Sequence, residues 1–486
     1  MHHETALFTV KQMGEADRLT EASGIPSSVM MDKAGSAVAT EISRRFTRRA
    51  VTVLCGPGNN GGDGFVTAKR LAEIGWPVRL ALFGSQEQLT GAALQHAQLW
   101  TDSIEPLTPK VLEGSQLVVD ALFGAGLSRA LAGQAAETLA AAADRALPIV
   151  AIDVPSGLMG DSGEAFGAVA ACLTVTFFRK KPGHLLLPGR LLCGEVVVAD
   201  IGTPDSVFER IVPESFENHP NLWLAELPQP VETNHKYQRG HALISGGYPL
   251  TGAARMAAKA AARVGAGLTT IAVPEIAFSI YATALTSIMV HSLSIPDDFN
   301  RLLTDSRFSA FLIGPGASIG EMTRSRAIAM LSSGRPTVLD ADALTTFQGN
   351  PSALDKAITG ACILTPHDGE FARIFDTSGD KLTRTRAAAL RSGAIIVLKG
   401  CDTVITAPDG CSLINANAPP TLATAGSGDV LGGIMLGLLA QGMQPFLAAA
   451  AGVWLHGAAA SEFGPGLIAE DLPDLLPGVL RRLFQH

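Results

Sequence analysis

The chain has 486 residues, of which 47% are hydrophobic and 17% are charged, with a formal net charge of -8. That length exceeds what one hydrophobic core usually supports, so we expect more than one domain. The acidic balance argues against a general nucleic-acid binder, because phosphate neutralisation needs clustered Lys and Arg. The six cysteines form no CxxC pair, the start does not read as an export signal, and the apolar stretch 430–439 is too short to cross a bilayer. We therefore expect a cytoplasmic protein that binds neither nucleic acid nor membrane.

The first half alternates apolar runs of strand length with Ala- and Leu-rich segments of helix length. The runs are 51–56, 78–84, 117–124, 148–157 and 173–178. Near-continuous apolar runs are typical of parallel strands that are buried on both faces. The segments 65–74 and 133–145 carry helical spacing between them. This pattern predicts a Rossmann-like, doubly wound sheet, in which ligands lie at the carboxyl ends of the strands.

The pattern breaks between about Pro204 and His235, where Pro, Glu and Asn replace the periodic segments. We place a boundary in this predicted linker, so that the domains are 1–225 and 226–486. A fresh α/β series follows it, with strand-like runs at 241–247, 311–316, 336–344, 363–367 and 395–400. The sequence therefore predicts a second α/β domain.

The first candidate site is GPGNNGGDG, residues 56–64, between a predicted strand and a predicted helix. Five glycines in nine positions allow backbone amides to converge on a phosphate, and a helix N-terminus adds positive potential. Asn59, Asn60 and Asp63 add polar groups that a pure phosphate site does not need. They suggest a bound cation or a sugar hydroxyl.

Further polar groups follow two other predicted strands of the first half. Asp120 ends one strand, and Arg129 after it is suited to pairing with a phosphate. Asp153 ends the next strand, with Ser156 three residues later. Each Asp alone can equally be a turn or capping residue. Together, on neighbouring strands, they favour a functional site.

Five segments of the first half together resemble the YjeF N-terminal domain, the NAD(P)H-hydrate epimerase: GPGNNGGDG, VDALFGAGLSR, AIDVPSG, FFRKKPGHLLLPG and VADIGTP. The resemblance covers about the first 205 residues. It implies inversion at C6 of the hydrated nicotinamide ring and a potassium ion held by Asn60, Asp120 and Ser156. The residues that it implies for the dinucleotide are Asn59, Asn60, Gly61, Gly62, Asp63, Gly124, Ala125, Gly126, Leu127, Ser128, Arg129, Ala130 and Asp153.

Inversion at C6 calls for a general acid or base, and we choose Asp153 for that role. A carboxylate beside an alkali cation can equally be a ligand or a hydrogen-bond anchor, so that alternative stays open.

The strongest single signal in the second half is TAGSGDVLGG, residues 424–433, which opens an apolar helix. Its small residues leave helix-start amides free to receive a phosphoryl group, with Asp429 directed at the reacting hydroxyl. Upstream, Lys399 ends a predicted strand, and His367 and Glu370 lie at a strand-to-helix turn. A solvated lysine and a capping histidine are the alternatives at these two positions.

Seven segments in order resemble the ADP- or ATP-dependent NAD(P)H-hydrate dehydratase, a ribokinase-like family: HKYQRGHALISGG, TGAARMAAKAAARVGAGL, IGPG, LDADAL, LTPHDGEF, VLKGCDTVI and TAGSGDVLGG. The resemblance runs from about His235 to Leu475. It implies contacts with the hydrated cofactor from Ala253, Gly316, His367 and Asp429. It implies contacts with the nucleotide from Lys399, Gly400, Cys401, Asp402, Thr403 and Gly428.

The two resemblances together predict a bifunctional enzyme that repairs the hydrates of NADH and NADPH, called NADHX and NADPHX. Asp429 would activate the C6 hydroxyl, the nucleotide would phosphorylate it, and loss of phosphate would regenerate the dihydronicotinamide. Bacterial members of this family characteristically use ADP, and Mg²⁺ normally bridges the phosphates. No dedicated magnesium motif is visible; Asp340 and Asp342 are candidates that turn capping explains equally well. The small-residue helices are compatible with a homo-oligomer and equally with packing inside one chain.

Two alternatives belong to other classes of function. The second domain can be a ribokinase-like kinase of a small alcohol, fused to a dinucleotide-binding module, because its GSGD segment would look the same. The first domain can also bind a ligand or a protein without turnover, since fold similarity does not decide function.

Overall fold

The structure is a computed structural model that describes residues 3–127, 129–233, 235–295 and 297–485. These residues form two compact units, His3–Ser215 and 216–485. The division lies upstream of the predicted boundary after residue 225. Trp223 is 1% exposed in the core of the second unit, and Asn218 Nδ2 donates to Ala450 O at 2.9 Å. Residues 216–225 therefore pack with the second unit and are not part of an open linker.

The first unit is an α/β unit built around a parallel sheet. Its elements are β1 (Ala6–Leu7), α1 (Val10–Ala22), α2 (Ser27–Arg45), β2 (Val51–Cys55), α3 (Asn59–Glu73), β3 (Val78–Leu82), α4 (Gly91–Ala97), β4 (Ile104–Pro106), β5 (Leu117–Ala121), α5 (Gly133–Asp144), β6 (Ile149–Ile152), β7 (Leu173–Phe177), α6 (Gly189–Leu192) and β8 (Glu195–Ala199). The sheet order is β4-β3-β2-β5-β6-β7-β8, with every neighbouring pair parallel. The strand order reverses between β2 and β5, which is where such sheets bind ligands.

The predicted strands of the first unit are present, and one helix boundary was wrong. Every residue of β2, β5, β6 and β7 is buried, which explains their uninterrupted apolar character. The helix predicted at 65–74 begins earlier, at Asn59, because the glycine-rich segment itself enters α3. The first two helices, α1 and α2, were not predicted.

The second unit is also α/β. Its elements are β9 (Ser215–Glu217), β10 (His241–Ser245), α7 (Thr251–Arg263), β11 (Leu268–Pro274), α8 (Phe278–Ala284), β12 (Met289–Leu293), α9 (Asp298–Leu303), β13 (Ala310–Ile313), α10 (Glu321–Ser332), β14 (Thr337–Leu339), α11 (Ala341–Thr345), α12 (Pro351–Ala357), β15 (Cys362–Leu364), α13 (Asp368–Ile374), α14 (Lys381–Ser392), β16 (Ile395–Leu398), β17 (Val404–Thr406), β18 (Ser412–Ile414), α15 (Ser427–Ala440), α16 (Pro445–Phe463) and α17 (Leu472–Leu483). Strands β10 to β18 follow the order β18-β17-β16-β15-β14-β13-β10-β11-β12. The pairs β16-β17 and β17-β18 are antiparallel, and the other pairs are parallel.

Helices α7 and α15 approach closely because small residues face each other. A Cβ at Gly433 would lie 2.1 Å from Ala257 O, and one at Gly437 would lie 2.6 Å from Ala261 O. Side chains at these positions would force the helices apart. The small residues therefore allow α15, the helix that carries Asp429 in its first turn, to pack directly against α7.

None of the helices in the described part of the chain is both long enough and apolar enough to cross a membrane.

Candidate active sites

A cavity of about 890 Å³ lies in the first unit, against the ends of β5 and β6 and the start of α3. Its volume falls in the range of small-molecule sites. Of the predicted dinucleotide-binding residues, those that line it are Asn59, Asn60, Asp63, Gly124, Ala125, Gly126, Leu127, Arg129 and Asp153. The fold thus brings together groups from three separate stretches of sequence.

Other predicted residues of this site do not line the cavity. Gly61 and Gly62 are buried inside α3, where a Cβ would lie 1.8 Å from Gly56 O and 2.5 Å from Met31 Sδ, respectively. Close packing explains these two glycines. Ala130 is exposed beyond the cavity lining. Ser128 lies outside the described residues.

Asp153 is held rigidly as an anion at the cavity wall. Its φ is +69°, a strained value for a residue with a side chain. Its Oδ1 accepts from Lys181 Nζ and from Thr176 Oγ1 at 3.0 Å, and its Oδ2 accepts from Ala125 N at 3.0 Å. Burial opposes ionisation, but the charge and hydrogen bond of Lys181 outweigh it and lower the pKa of Asp153 to about 2.

Lys181 is a site residue that sequence reasoning missed. Its side chain is 3% exposed, and its Nζ also contacts Thr176 Oγ1 at 2.9 Å. The Lys181 amide donates to His184 Nδ1 at 2.9 Å, and His184 Nε2 lies 2.8 Å from Asp153 O. The segment FFRKKPGH was part of the resemblance, but its lysine carried no local signal of a buried partner.

Two of the predicted potassium ligands, Asp120 and Ser156, are buried and do not line the cavity, whereas the third, Asn60, does. Asp120 is 1% exposed, and it accepts from Ser156 Oγ at 2.6 Å and from Ser156 N at 2.8 Å. Burial raises the pKa of Asp120, since no cationic side chain of the described residues pairs with it. Asn60 Nδ2 is buried without a described hydrogen-bond partner. A buried carboxylate among oxygen donors, lacking a counter-charge, fits a monovalent cation.

In the second unit, Asp429 lies in the first turn of α15, after Gly426, whose φ is +91°. Its carboxyl is surrounded mainly by other acids. Burial, with the negative charge of Asp340, raises the pKa of Asp429 to about 7, and Lys399 opposes that rise. A carboxyl with this pKa can exchange a proton at neutral pH.

Lys399 follows β16 and belongs to an acidic cluster. Its Nζ lies 2.7 Å from Asp340 Oδ1 and 3.9 Å from Glu370 Oε2. Burial opposes its charge, but Asp340 and Glu370 raise the pKa of Lys399. A Cβ at Gly428 would lie 3.4 Å from its Nζ, which places the ammonium beside the helix start. The structure thus joins the predicted residues Lys399, Gly428 and Asp429.

The rest of the predicted nucleotide loop is held by hydrogen bonds. Thr403 Oγ1 donates to Gly400 O at 2.8 Å and accepts from Gly400 N at 3.2 Å. Asp402 pairs with Lys381 Nζ at 2.5 Å, a lysine that sequence reasoning did not name. Cys401 is exposed. The loop therefore presents an ordered backbone beside Lys399.

The remaining predicted substrate contacts lie on neighbouring loops. His367 caps α13 through Nδ1, which accepts from Gly369 N at 3.0 Å, and its side chain is 56% exposed. It also forms a β-bridge with Lys399. Gly316 has a φ of +64°, and a Cβ there would lie 2.3 Å from Leu250 O, just before the first turn of α7 that carries Ala253.

No dedicated metal centre is found among the described residues, which contain no group of three or more His, Cys, Asp or Glu suited to holding an ion. The magnesium candidates are already engaged: Asp340 by Lys399, and Asp342 Oδ2 by Ser318 N at 2.9 Å.

Comparison with known proteins accounts for both units. Residues 27–183 match the family described as YjeF-related protein N-terminus, and residues 241–476 match the family described as NAD(P)H-hydrate dehydratase. The bifunctional NAD(P)H-hydrate repair enzyme of Moorella thermoacetica is 37% identical over 99% of this chain and 97% of its own length. The enzyme of the same name from Coxiella burnetii is 36% identical, over 96% of this chain and 98% of its own. The chain belongs to the bifunctional NAD(P)H-hydrate repair enzymes.

This family membership confirms the predicted fold class and the predicted repair function, and it favours that function over a small-alcohol kinase. Among solved structures, the ADP/ATP-dependent NAD(P)H-hydrate dehydratase of Bacillus subtilis, co-crystallised with ATP and Mg²⁺, is 30% identical. It covers 55% of this chain and 98% of its own, with a TM-score of 0.49. The α1 helix precedes the span that the YjeF-related family matches.

Proposed function

We propose that the first unit inverts C6 of NADHX and NADPHX, and that the second unit dehydrates one epimer at the expense of ADP or ATP. The observation that carries this proposal is the pair of separate sites in one chain of the repair family. Each site combines an aspartate with a lysine: Asp153 with Lys181 in the first unit, and Asp429 at the start of α15 with Lys399 in the second.

In the first unit, the cavity residues around Asn59, Asp63, Gly124 and Arg129 would hold the dinucleotide. Asp153 would accept a hydrogen bond from the C6 hydroxyl, since its pKa of about 2 keeps it ionised. This fixed charge favours an anchoring role for Asp153 over the acid/base role predicted from the sequence. A potassium ion, held by Asn60, Asp120 and Ser156, would supply the positive charge that the buried Asp120 lacks.

In the second unit, Asp429 would take the proton of the C6 hydroxyl as that oxygen attacks the terminal phosphorus of the nucleotide. The α15 amides and Lys399 would stabilise the transferring phosphoryl group. Phosphate would then leave C6 as C5 loses a proton to solvent, and the C5=C6 double bond of the dihydronicotinamide would form. The acidic cluster supports Asp429 as the base, because it keeps the pKa of Asp429 near 7.

Magnesium would enter on the nucleotide phosphates, since the described residues hold no dedicated cage for it. A cytoplasmic location and a homo-oligomeric assembly stay predictions of the sequence.

The experiment that tests this function supplies purified (R)- and (S)-NADHX separately to the whole chain, with K⁺, Mg²⁺ and either ADP or ATP. We expect one epimer to give NADH directly and the other to follow through a slower first step. Without nucleotide, the two epimers should interconvert faster than in buffer. If a folded protein forms no NADH when it is given ADP and none when it is given ATP, the dehydratase assignment is contradicted.

A further inference from the structure

One wall of the cavity in the first unit is a face of α1, a helix that precedes residues 27–183, the span that matches the YjeF-related family. The residues of this face recur every three or four positions, as one side of a helix does: Val10, Met13, Gly14, Asp17, Arg18 and Glu21. Met13 of this face is itself buried, as are Ala16 and Thr20 on the other side of α1. The helix therefore presents three charged side chains, those of Asp17, Arg18 and Glu21, to the ligand space.

This helix is fixed to the strand-end side of the site. Phe8 N, just before α1, donates to Lys180 O at 3.0 Å, next to the Lys181 that holds Asp153. Val10 N donates to Asp161 Oδ1 at 2.7 Å, and Thr9 with Gln12 forms a capping box. Asp17 is thus held in a defined place relative to the Asp153–Lys181 pair.

The carboxylates of Asp153 and Asp17 differ in whether they have hydrogen-bond partners. Asp153 accepts hydrogen bonds from Lys181, Thr176 and the Ala125 amide. The carboxylate of Asp17 has no hydrogen-bond or ion-pair partner among the described residues, and a Cβ at Gly14, one turn away, would meet nothing within 4 Å. Asp17 is therefore a carboxyl at the cavity wall that is available to a ligand.

We infer that Asp17 carries the proton to and from the C6 hydroxyl during epimerisation, with the Asp153–Lys181 pair as a fixed anchor. The inference rests on the proposed function of the first unit. It assigns a catalytic role to a helix that neither the sequence motifs nor the matched family span covers.

The surroundings of Asp17 suit a group that changes protonation state. Arg18 and Glu21 of its own helix line the same cavity, together with Asp63 from α3 and with Asp153 and Lys181 from the strand-end wall. Although Asp17 is exposed as a residue, partial loss of water around its carboxyl raises its pKa to about 6, with Lys181 opposing and Asp153 and Glu21 adding to the rise. Asp153 cannot serve in this way at neutral pH, because its pKa is about 2.

The step balances without an oxidant or reductant. The protonated Asp17 gives its proton to the C6 hydroxyl, the C6–O bond breaks, and water leaves as the N1 lone pair forms a C6=N1 double bond. A water molecule then adds to C6 from the opposite face of the ring. The proton that this water loses returns to the Asp17 carboxylate through solvent in the open cavity.

The test follows epimer interconversion by chromatography in the whole chain, with no nucleotide, for Asp17→Asn and Asp17→Glu. Loss of general acid–base catalysis should lower kcat by roughly 100-fold or more in Asp17→Asn, with KM changed by less than about 3-fold. Asp17→Glu should keep part of kcat. The pH dependence of kcat around 6 in the parent chain should disappear in Asp17→Asn.

Asp144→Asn is the matched control, because it makes the same substitution at an exposed position at the end of α5, outside the cavity. It should keep the parent kcat. If Asp17→Asn does not fold, Asp17→Ser takes its place with the same expectation.

The outcomes separate the inference from the function on which it rests. A parent chain that fails to speed interconversion above the buffer rate removes the epimerase function itself. A parent chain that does so, beside an Asp17→Asn chain with unchanged kcat, overturns the role of Asp17. A rise in KM alone, with kcat and its pH dependence kept, also overturns it and leaves Asp17 as a binding residue.

Discussion

The two units of this chain use an aspartate and a lysine differently. In the first unit the lysine pairs with the aspartate at the cavity, so Lys181 lowers the pKa of Asp153 to about 2. In the second unit Lys399 pairs with Asp340 instead, at 2.7 Å, and Asp429 stays beside several carboxylates with a pKa raised to about 7. The same two residue types therefore give a fixed anion in one site and a proton-exchanging group in the other.

The difference shows that the protonation state of the aspartate depends on which carboxylate the lysine pairs with. The presence of an aspartate near a strand end does not decide it. A direct cation favours the ionised carboxyl, whereas burial among like charges favours the neutral one. The first unit then needs a separate proton carrier, and the second unit does not.

The largest expected effect is the loss of the proton-exchanging group of the second unit. Asp429→Asn should lower kcat of dehydration by roughly 10²–10⁴-fold, because the amide cannot take the hydroxyl proton. Epimer interconversion in the first unit should continue. The measurement is NADH formation from the reactive epimer with nucleotide, beside interconversion without it.

Asp297→Asn is the matched control for that variant, because Asp297 is a surface aspartate of the second unit whose side chain is 62% exposed. It should dehydrate at the parent rate. Dehydration by Asp429→Asn at a rate near that of the parent would mean that another group is the base.

A second, smaller effect should follow from breaking the pair in the first unit. Lys181→Met leaves the Asp153 carboxyl, 17% exposed, without its cation, which should cost about 3–5 kcal/mol of stability. Hydrogen exchange of peptides from β6 and β7 under increasing denaturant would measure this loss within the first unit.

The double variant Lys181→Met/Asp153→Asn should recover most of that stability, because no buried charge is then left alone. Lys11→Met, at an exposed position of α1, is the control and should change little. A loss below about 1 kcal/mol in Lys181→Met would show that solvent, and not Lys181, keeps Asp153 charged.

Much of the fold was predictable because parallel strands that are buried on both faces appear in the sequence as continuous apolar runs. The runs at β2, β5, β6 and β7 are apolar at nearly every position, and all of their residues are buried. Segment 10–22 has no comparably clear pattern. Its cavity face combines three charged residues with Val10, Met13 and Gly14, and its buried side is narrow, so α1 lacks the wide apolar stripe of a core helix.

The candidate sites were predictable as residue types near strand ends but not as pairs. Asp340, Asp342, Glu370 and Asp429 all follow strands or open helices, and nothing in their spacing selects the partner of a lysine. Only the register of the sheet brings Lys399 to Asp340, and the position of α15 then adds Asp429 beside them. Gly61 and Gly62 show the converse case, since the glycine-rich motif pointed to ligand binding where packing against Gly56 and Met31 already requires glycine.

The smallest expected effect concerns the second unit and tests whether Asp340 raises the pKa of Asp429. After burial, the charge of Asp340 is the largest cause of the raised pKa of Asp429. Asp340→Asn removes that charge and frees Lys399 to favour ionised Asp429, so the pKa of Asp429 should fall. A base that must be ionised then stays active to lower pH, and the acidic limb of the kcat/KM profile for dehydration should move down by roughly one pH unit, or about 1.4 kcal/mol.

Glu370→Gln is the graded comparison for this shift, because Glu370 lies 3.9 Å from Lys399 and contributes less to the pKa of Asp429 than Asp340 does. Its acidic limb should move in the same direction by a smaller amount. An acidic limb that stays in place or moves to higher pH in Asp340→Asn would show that the acidic cluster does not set the protonation of Asp429. The contrast between the two units would then lie in burial alone, since Asp429 would keep its raised pKa without Asp340.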